Sequence, residues 1–123
     1  MPSVAILGAS TQPHKYGNRA VRAYHAKGYT VYPVNPHAAT IEGLKAYPSI
    51  RDVPADHLDL VTLYLPPEVG LQVLDDIATK KVDEVLLNPG AESAELLERG
   101  RQLGLPVTTG CSILAIGMNP HQL

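Results

Sequence analysis

The chain has 123 residues and 13.2 kDa, and its 45% hydrophobic content with a mean hydropathy of -0.02 is typical of a globular protein with one core. A net charge of -2 argues against disorder, and a pI of about 6.2 with 5% aromatic residues argues against a nucleic-acid-binding face. The single cysteine indicates a reducing compartment, and no apolar run reaches the ~18 residues of a membrane span, so we expect one cytoplasmic domain over residues 1–123.

Five short apolar runs predict buried parallel strands. Each run has four to eight mostly apolar or β-branched residues and is followed by Gly, Pro or Asn, which suit sharp turns. The predicted strands span residues 4–7, 30–34, 58–65, 84–87 and 106–109. Pro33 is unusual inside a strand because it removes one donor from the sheet.

Three stretches between these strands have helical patterns. Asn18 is the expected N-cap of a helix that runs to Lys27, and Gly28 is expected to end that helix. Pro67 suits the first turn of the second helix, and Ser93 is the expected N-cap of the third. The residues expected to face the sheet from these last two helices are Val69, Val73, Leu74, Ile77, Leu96, Leu97, Gly100 and Leu103.

The alternation of strands and helices predicts the fold. Right-handed crossovers give an α/β, Rossmann-like, doubly wound three-layer sandwich with a parallel sheet in the order 2-1-3-4-5. The irregular segment 37–54 predicts a short extra edge strand near 44–47 and one helical turn after Ser49. A ligand in such a fold binds at the carboxyl ends of the strands, between the first and third of them.

The segment 8–18 predicts a phosphate-binding turn. Gly8 permits a tight turn, Ser10 offers a hydroxyl and Lys15 a cation, and the start of the first helix offers free N–H groups. Residues 1–41 contain no acidic residue and carry a charge of +4, whereas the rest of the chain carries -6. The four basic residues are Lys15, Arg19, Arg22 and Lys27, all in this turn or the helix that follows it. The segment matches neither the Gly-x-Gly-x-x-Gly nor the Walker A pattern.

Asn35 follows the second strand, where NAD-binding proteins of this fold usually carry Asp or Glu for the ribose hydroxyls. A neutral amide does not repel a phosphorylated ribose. Asn35 therefore argues against NAD and leaves room for a nucleotide with a 2′- or 3′-phosphate.

Four segments together resemble a known family. The run 4–17, the phrase 34–36, the stretch 43–48 and the later 88–90 are similar to those of stand-alone CoA-binding domain proteins, which are related to the nucleotide-binding domain of the succinyl-CoA ligase α subunit. The resemblance covers nearly the whole chain and implies a Rossmann-like fold with CoA at the strand carboxyl ends. His37 departs from the pattern, because family members often have Lys after Asn-Pro.

The resemblance also implies roles for particular residues. The phosphates would be held by Gly8, Ala9, Ser10, Lys15, Tyr16 and Gly17. The adenosine would be bordered by Asn35 and Pro36 and covered by Pro66, Pro67 and Val69, and the pantetheine would pass Asn88, Pro89 and Gly90. The phosphorylated histidine of the ligase belongs to a second domain, so the resemblance implies no ligase activity for this chain.

Catalytic and metal sites are not indicated by the sequence. The five histidines are scattered, and no nucleophile, base and orienting acid are spaced for catalysis. Cys111 follows the last strand near the expected ligand; its thiol suits a mixed disulfide with CoA, although a small buried hydrophobe is the favoured interpretation.

The favoured function is therefore a non-catalytic module that binds CoA or an acyl-CoA. Two alternatives stay open: an NAD(P)- or other nucleotide-binding redox or regulatory protein, and an interaction protein with a vestigial pocket. The expected partner is a small nucleotide ligand, with neither nucleic acid nor membrane. A homodimer is a general expectation for small α/β domains.

Overall fold

The computed structural model describes residues 2–123. Five strands form the central parallel sheet, and we number them β1 to β5: Ser3–Leu7, Thr30–Val34, Leu60–Leu63, Val85–Leu87 and Val107–Thr109. Their order in the sheet is β2-β1-β3-β4-β5, which confirms the predicted topology.

In the described part of the chain, four α-helices connect or follow the strands, and they cover both faces of the sheet. They are α1 (Tyr16–Ala26), α2 (Pro67–Ile77), α3 (Ala94–Gln102) and α4 (Ser112–Ala115). Helix α1 packs with α4, and α2 packs with α3. The result is the predicted three-layer sandwich.

The side chains of β1 point alternately to the two faces of the sheet, and each face has its own hydrophobic core. Val4 and Ile6 pack in the core that contains α1 and α4, whereas Ala5 and Leu7 pack in the core that contains α2 and α3. Successive side chains of a strand point to opposite faces, so a central strand covered on both sides must be apolar throughout. Residues 4 to 6 of β1 are accordingly fully buried.

The third predicted strand is divided in the structure. His57–Leu58 pairs with Lys81–Val82 in a separate small sheet, and β3 proper ends at Leu63 rather than at residue 65. The break falls at Asp59, whose carboxylate accepts hydrogen bonds from the backbone N–H and the hydroxyl of Ser3.

The segment 37–54 contains the expected short strand and helical turn. Thr40–Ile41 and Leu44–Lys45 form an antiparallel hairpin whose two turn residues, Glu42 and Gly43, both have positive φ (50° and 77°), as a two-residue hairpin turn requires. The hairpin region joins the sheet through one bridge between Tyr47 and Val34. Ser49 caps a 3-10 turn over Ile50–Asp52.

Pro33 is tolerated inside β2 because its backbone nitrogen faces the outer side of the sheet, away from β1. Its carbonyl accepts a hydrogen bond from the N–H of Tyr47, so the N–H that proline lacks would also face this outer side of the sheet. On that side β2 meets only the short bridge at Tyr47, and the main ladder to β1 is intact.

Two predictions about the helices are wrong. Asn18 is not the N-cap of α1: Lys15 occupies that position, and Asn18 is buried inside the helix. Leu97 does not face the sheet, because it is 39% exposed while Leu96 and Gly100 of the same helix are buried. Gly28, Pro67 and Ser93 have the predicted positions at helix ends.

Candidate functional site

A cleft of about 850 Å³ opens at the carboxyl edge of the sheet, at the switch point between β1 and β3. Its walls come from the segments that follow β1, β2, β3 and β4. The lining residues are Leu7, Gly8, Ala9, Ser10, Lys15, Tyr16, Gly17, Val34, Asn35, Pro36, His37, Pro48, Ser49, Ile50, Tyr64, Leu65, Pro66, Pro67, Val69, Val73, Asp76, Pro89, Gly90 and Ala91. The volume is within the range of roughly 300–1,000 Å³ that small-molecule sites have.

The residues named from the sequence as ligand-binding line this cleft, with the exception of Asn88. Asn88 and Cys111 line a second, adjoining cavity instead. The predicted topology was therefore sufficient to place these residues at one site. Their contacts with a ligand remain predictions.

Two glycines allow the entry to α1 to pack tightly on the strand ends. Gly8 has a φ of 87°, and a Cβ at this position would collide with the backbone carbonyl of Tyr64. Gly17 lies in the first turn of α1, where a Cβ would collide with the backbone carbonyl of Gly8. The first turn of α1 is thus held directly against the end of β1, with no side chain between the two backbones.

The first turn of α1 leaves donors free at the cleft. The N–H groups of Tyr16 and Gly17 form no hydrogen bond with residues 2–123, and no acidic side chain occupies this turn. Lys15 precedes them, and its exposed ammonium has no hydrogen-bond or ion-pair partner in the described chain. Together with the positive end of the helix dipole, these groups form an electropositive corner.

Only one of the four early basic residues lines the cleft. Arg19 donates to the carbonyl of Pro120 at 3.2 Å, and Arg22 donates to the carbonyl of Pro13 at 2.7 Å and to the side chain of Asn18 at 2.8 Å. These two arginines brace the loops around α1. Lys15 therefore carries the positive charge of the cleft.

The side chain of Asn35 forms hydrogen bonds that connect the ends of β1 and β2. Its amide nitrogen donates to the carbonyl of Ala9 at 2.9 Å, and its amide oxygen accepts from the N–H of His37 at 2.7 Å. The side chain thereby joins the loop after β2 to the loop after β1. A carboxylate at this position would lose the donor to Ala9, which gives a structural reason for the amide.

The single lining carboxylate among the described residues is paired. Asp76 of α2 accepts a hydrogen bond from Arg51 Nε at 2.5 Å. This ion pair offsets the negative charge at that end of the cleft. The neighbouring wall is apolar and is formed by Val34, Ile50, Val69 and Val73.

Asn88 is buried at the base of the second cavity and joins β3, β4 and α4. Its amide nitrogen donates to Thr62 Oγ1 at 2.6 Å and to the carbonyl of Leu63 at 2.8 Å, and its oxygen accepts from the N–H and hydroxyl of Ser112 at 2.9 and 3.0 Å. The Ser112 hydroxyl has one proton, so it accepts from Tyr64 Oη at 2.5 Å. Burial raises the pKa of Tyr64 to about 12, so this phenol stays protonated and donates.

A separate cluster lies at the opposite, amino-terminal edge of the sheet. Oxygen or nitrogen atoms of His57, Asp59 and Asp83 lie within 4.8 Å of one another, a grouping that the sequence did not predict. His57 Nε2 is 2.9 Å from Asp83 Oδ1, and this contact raises the pKa of His57. Because Asp59 binds Ser3, each member already has a protein partner.

Several cleft residues were missed from the sequence. The predicted third strand includes Tyr64 and Leu65, but both line the cleft because β3 ends at Leu63. Ile50 belongs to the irregular segment, whose position the pattern could not predict. Val73 and Asp76 follow Val69 at helical spacing, so the periodicity of α2 could have indicated them.

The fold and the position of the cleft define a Rossmann-like α/β domain with its open site at the switch point of the sheet. Residues 2–117 match the family described as CoA binding domain, and the chain belongs to this family. The membership does not favour the alternative of an NAD(P)-dependent protein. No helix in residues 2–123 has the length and apolarity needed to cross a bilayer.

The chain is similar to parts of longer enzymes. It is 33% identical to the ADP-forming acetate–CoA ligase II of Archaeoglobus fulgidus, over 88% of this chain and 18% of the relative. It is 29% identical to the α subunit of ADP-forming acetate–CoA ligase II of Pyrococcus furiosus, over 96% of this chain and 28% of the relative. The chain thus spans less than a third of the length of these curated relatives.

Solved structures of similar size share the fold. A conserved hypothetical protein of Pyrococcus furiosus has a TM-score of 0.84 and 35% identity, with 94% of this chain and 99% of that chain covered. A hypothetical protein of Pyrococcus horikoshii has a TM-score of 0.84 and 25% identity, with 97% and 80% covered.

Proposed function

We propose that this chain binds coenzyme A or an acyl-CoA in the 850 Å³ cleft, with the diphosphate at the first turn of α1. The observation that carries the proposal is the electropositive corner: free N–H groups of Tyr16 and Gly17 and the ammonium of Lys15 border one cleft. A helix N-terminus with unpartnered donors is a ready site for a phosphate. Membership of the CoA-binding domain family supports the same ligand.

The backbone geometry fits a diphosphate. The absence of side chains at Gly8 and Gly17 lets the first turn of α1 pack directly on the end of β1, which fixes the free N–H groups at the cleft. The hydroxyl of Ser10 already accepts the N–H of Gln12, which stabilises the loop before a ligand arrives. A loop held in its bound conformation costs less entropy on binding. These features favour capture of an anion by main-chain donors.

The apolar end of the cleft suits the adenosine. The partly exposed Val69 and Val73 offer apolar surface for a base, and the pairing of Asp76 with Arg51 reduces repulsion of the ligand's phosphates. The diphosphate at β1 and the base towards β2 and α2 would leave the pantetheine arm to follow β3 and β4. Pro89 and Gly90 line that side of the cleft.

The chain on its own is proposed to bind rather than catalyse. Among the described residues that line the cleft, Ser10 Oγ accepts from Gln12 and Ser49 Oγ accepts from Arg51, so both hydroxyls serve the local backbone. His37 is the single lining histidine and Asp76 the single lining carboxylate, and Asp76 is paired with Arg51. This set has no nucleophile that is hydrogen-bonded to a base. The relatives that are named as ligases carry much additional chain.

Lys15→Met is expected to weaken CoA binding by about 10- to 100-fold, the value of one hydrogen bond to a charged group. Lys27→Met is the matched control, because Lys27 follows the opposite end of α1, away from the cleft. Isothermal titration calorimetry with CoA measures both variants and the unmodified protein. The proposal fails if the unmodified protein does not bind CoA, or if both variants weaken binding equally.

A further inference from the structure

A second cavity of about 390 Å³ adjoins the main cleft on the side of β4 and β5. It lies between the first turn of α1, the helix α4 and the turn near the carboxyl end of the chain. Tyr16, Tyr64 and Pro89 line both spaces, so the two are adjacent. The cavity is also lined by Asn88, Cys111, Leu114, Pro120 and His121.

The order of the strands places this cavity where the sulfur end of the pantetheine arm is expected to lie. The carboxyl ends of β1, β3, β4 and β5 follow one another along the sheet edge, in steps of about 4.8 Å. A diphosphate at β1 is therefore about 14 Å, three steps, from the end of β5, where Cys111 follows. An extended pantetheine arm spans such a distance and would bring its sulfur past Pro89 into the second cavity.

The walls of this cavity suit an apolar group. No lysine, arginine, aspartate or glutamate lines it among the described residues. Its buried polar groups are already bonded, because the Asn88 amide binds Thr62 and Ser112, and the Tyr64 hydroxyl binds Ser112. Leu114 of α4 is 61% exposed, which leaves an apolar side chain for a ligand to cover.

We infer that this second cavity receives the acyl group of a short-chain acyl-CoA whose acyl group is an uncharged hydrocarbon. The inference rests on the proposed CoA site, of which the cavity is the continuation. Each methylene that is removed from water is expected to tighten binding by about fourfold. Butyryl-CoA, with two more methylenes than acetyl-CoA, is thus expected to bind about 15-fold more tightly.

A charged acyl group would need a cation. Arg19 contacts two lining residues, because its guanidinium lies 5.0 Å from the centre of the Tyr16 ring and donates to the carbonyl of Pro120. Arg19 does not line the cavity, and among the described lining side chains His121 alone can carry a positive charge, so a carboxylate placed there would exchange its water for one imidazole partner at most. Succinyl-CoA is therefore expected to bind more weakly than butyryl-CoA.

Calorimetric titrations with CoA, acetyl-CoA, butyryl-CoA and succinyl-CoA test the inference. Leu114→Asp places a charge in the cavity at an exposed position, and it is expected to remove the preference for butyryl-CoA over acetyl-CoA. Leu97→Asp is the matched control, because Leu97 is an exposed leucine on α3, away from both cavities, and should keep the preference.

The rate at which iodoacetamide alkylates Cys111, the single cysteine of the chain, gives a second measurement. Butyryl-CoA at saturation is expected to slow this reaction more than CoA does. If CoA binds but butyryl-CoA binds no more tightly than acetyl-CoA, or succinyl-CoA binds more tightly than butyryl-CoA, the inference is wrong and the proposed CoA site stands. Equal alkylation rates with and without butyryl-CoA would also overturn it. Failure to bind any of the four ligands would overturn both proposals.

Discussion

Replacing Gly17 with alanine is expected to lower the free energy of unfolding by about 3 kcal/mol and to abolish CoA binding, although alanine usually favours a helix over glycine by about 1 kcal/mol. The added Cβ would meet the backbone carbonyl of Gly8. Because a backbone group has no alternative rotamer, the first turn of α1 must move away from β1. The free N–H groups of Tyr16 and Gly17 would then leave the proposed diphosphate site.

Urea denaturation and thermal unfolding measure the effect of Gly17→Ala. For a chain of this size, a loss of about 3 kcal/mol corresponds to a decrease in Tm of roughly 10 °C. Gly28→Ala is the matched control: Gly28 has a φ of 84° but no atom within 4 Å of an added Cβ, so it should cost only about 1–2 kcal/mol of backbone strain and keep CoA binding. A Gly17→Ala protein as stable as the unmodified one would show that the close packing on Gly8 is absent.

Asn88→Ala is expected to lower the free energy of unfolding by about 3 kcal/mol or more, as Gly17→Ala does. Each buried polar group that is left without a partner costs about 1–3 kcal/mol. The substitution removes the acceptor for the N–H and hydroxyl of Ser112 and the donor to Thr62 and Leu63. Three elements, β3, β4 and α4, would lose their common polar contact. The second cavity is expected to change shape as a result, because Asn88 forms part of its wall.

The same unfolding measurements test Asn88→Ala. Asn119→Ala is the control, because Asn119 is exposed and its side chain accepts only the N–H of His121, so its loss should cost about 1 kcal/mol. Adding Thr62→Val to Asn88→Ala should recover part of the loss, because it removes a hydroxyl left unpaired. Equal stabilities of Asn88→Ala and Asn119→Ala would contradict the structural role assigned to Asn88.

The topology of the sheet and the position of the cleft could be predicted because they depend on local patterns. Short apolar runs bounded by turn residues gave the strands, and the handedness of crossovers limited their order. Carboxyl ends of parallel strands share one edge, so residues as distant as Gly8, Asn35 and Pro67 could be brought to one site without coordinates.

Side-chain partners across the fold could not be predicted. Asn18 has the residue type of an N-cap, but its amide instead binds Ser10 and Glu42, and its oxygen binds Arg22. Leu97 fits the helical period, yet α3 is rotated so that Leu96 and Gly100 face the sheet. A propensity describes one residue in its own segment, whereas these contacts are decided by which elements pack together.

Asn88 also shows that a residue's position could be predicted while its side-chain partners could not. The sequence placed it correctly at the carboxyl end of β4. Its amide could have faced a ligand or the core, and the type of residue does not distinguish these. The structure shows that both amide atoms bind protein groups, which makes Asn88 a support for the walls of the second cavity.

The most direct test of the proposed function is a crystal structure of the protein with excess CoA. The expected result is a diphosphate whose oxygens lie at hydrogen-bond distance, about 2.7–3.2 Å, from the backbone nitrogens of Tyr16 and Gly17 and near Lys15 Nζ. A CoA molecule whose diphosphate lies away from the first turn of α1, or a cleft that stays closed to the ligand at saturating concentration, would contradict the account.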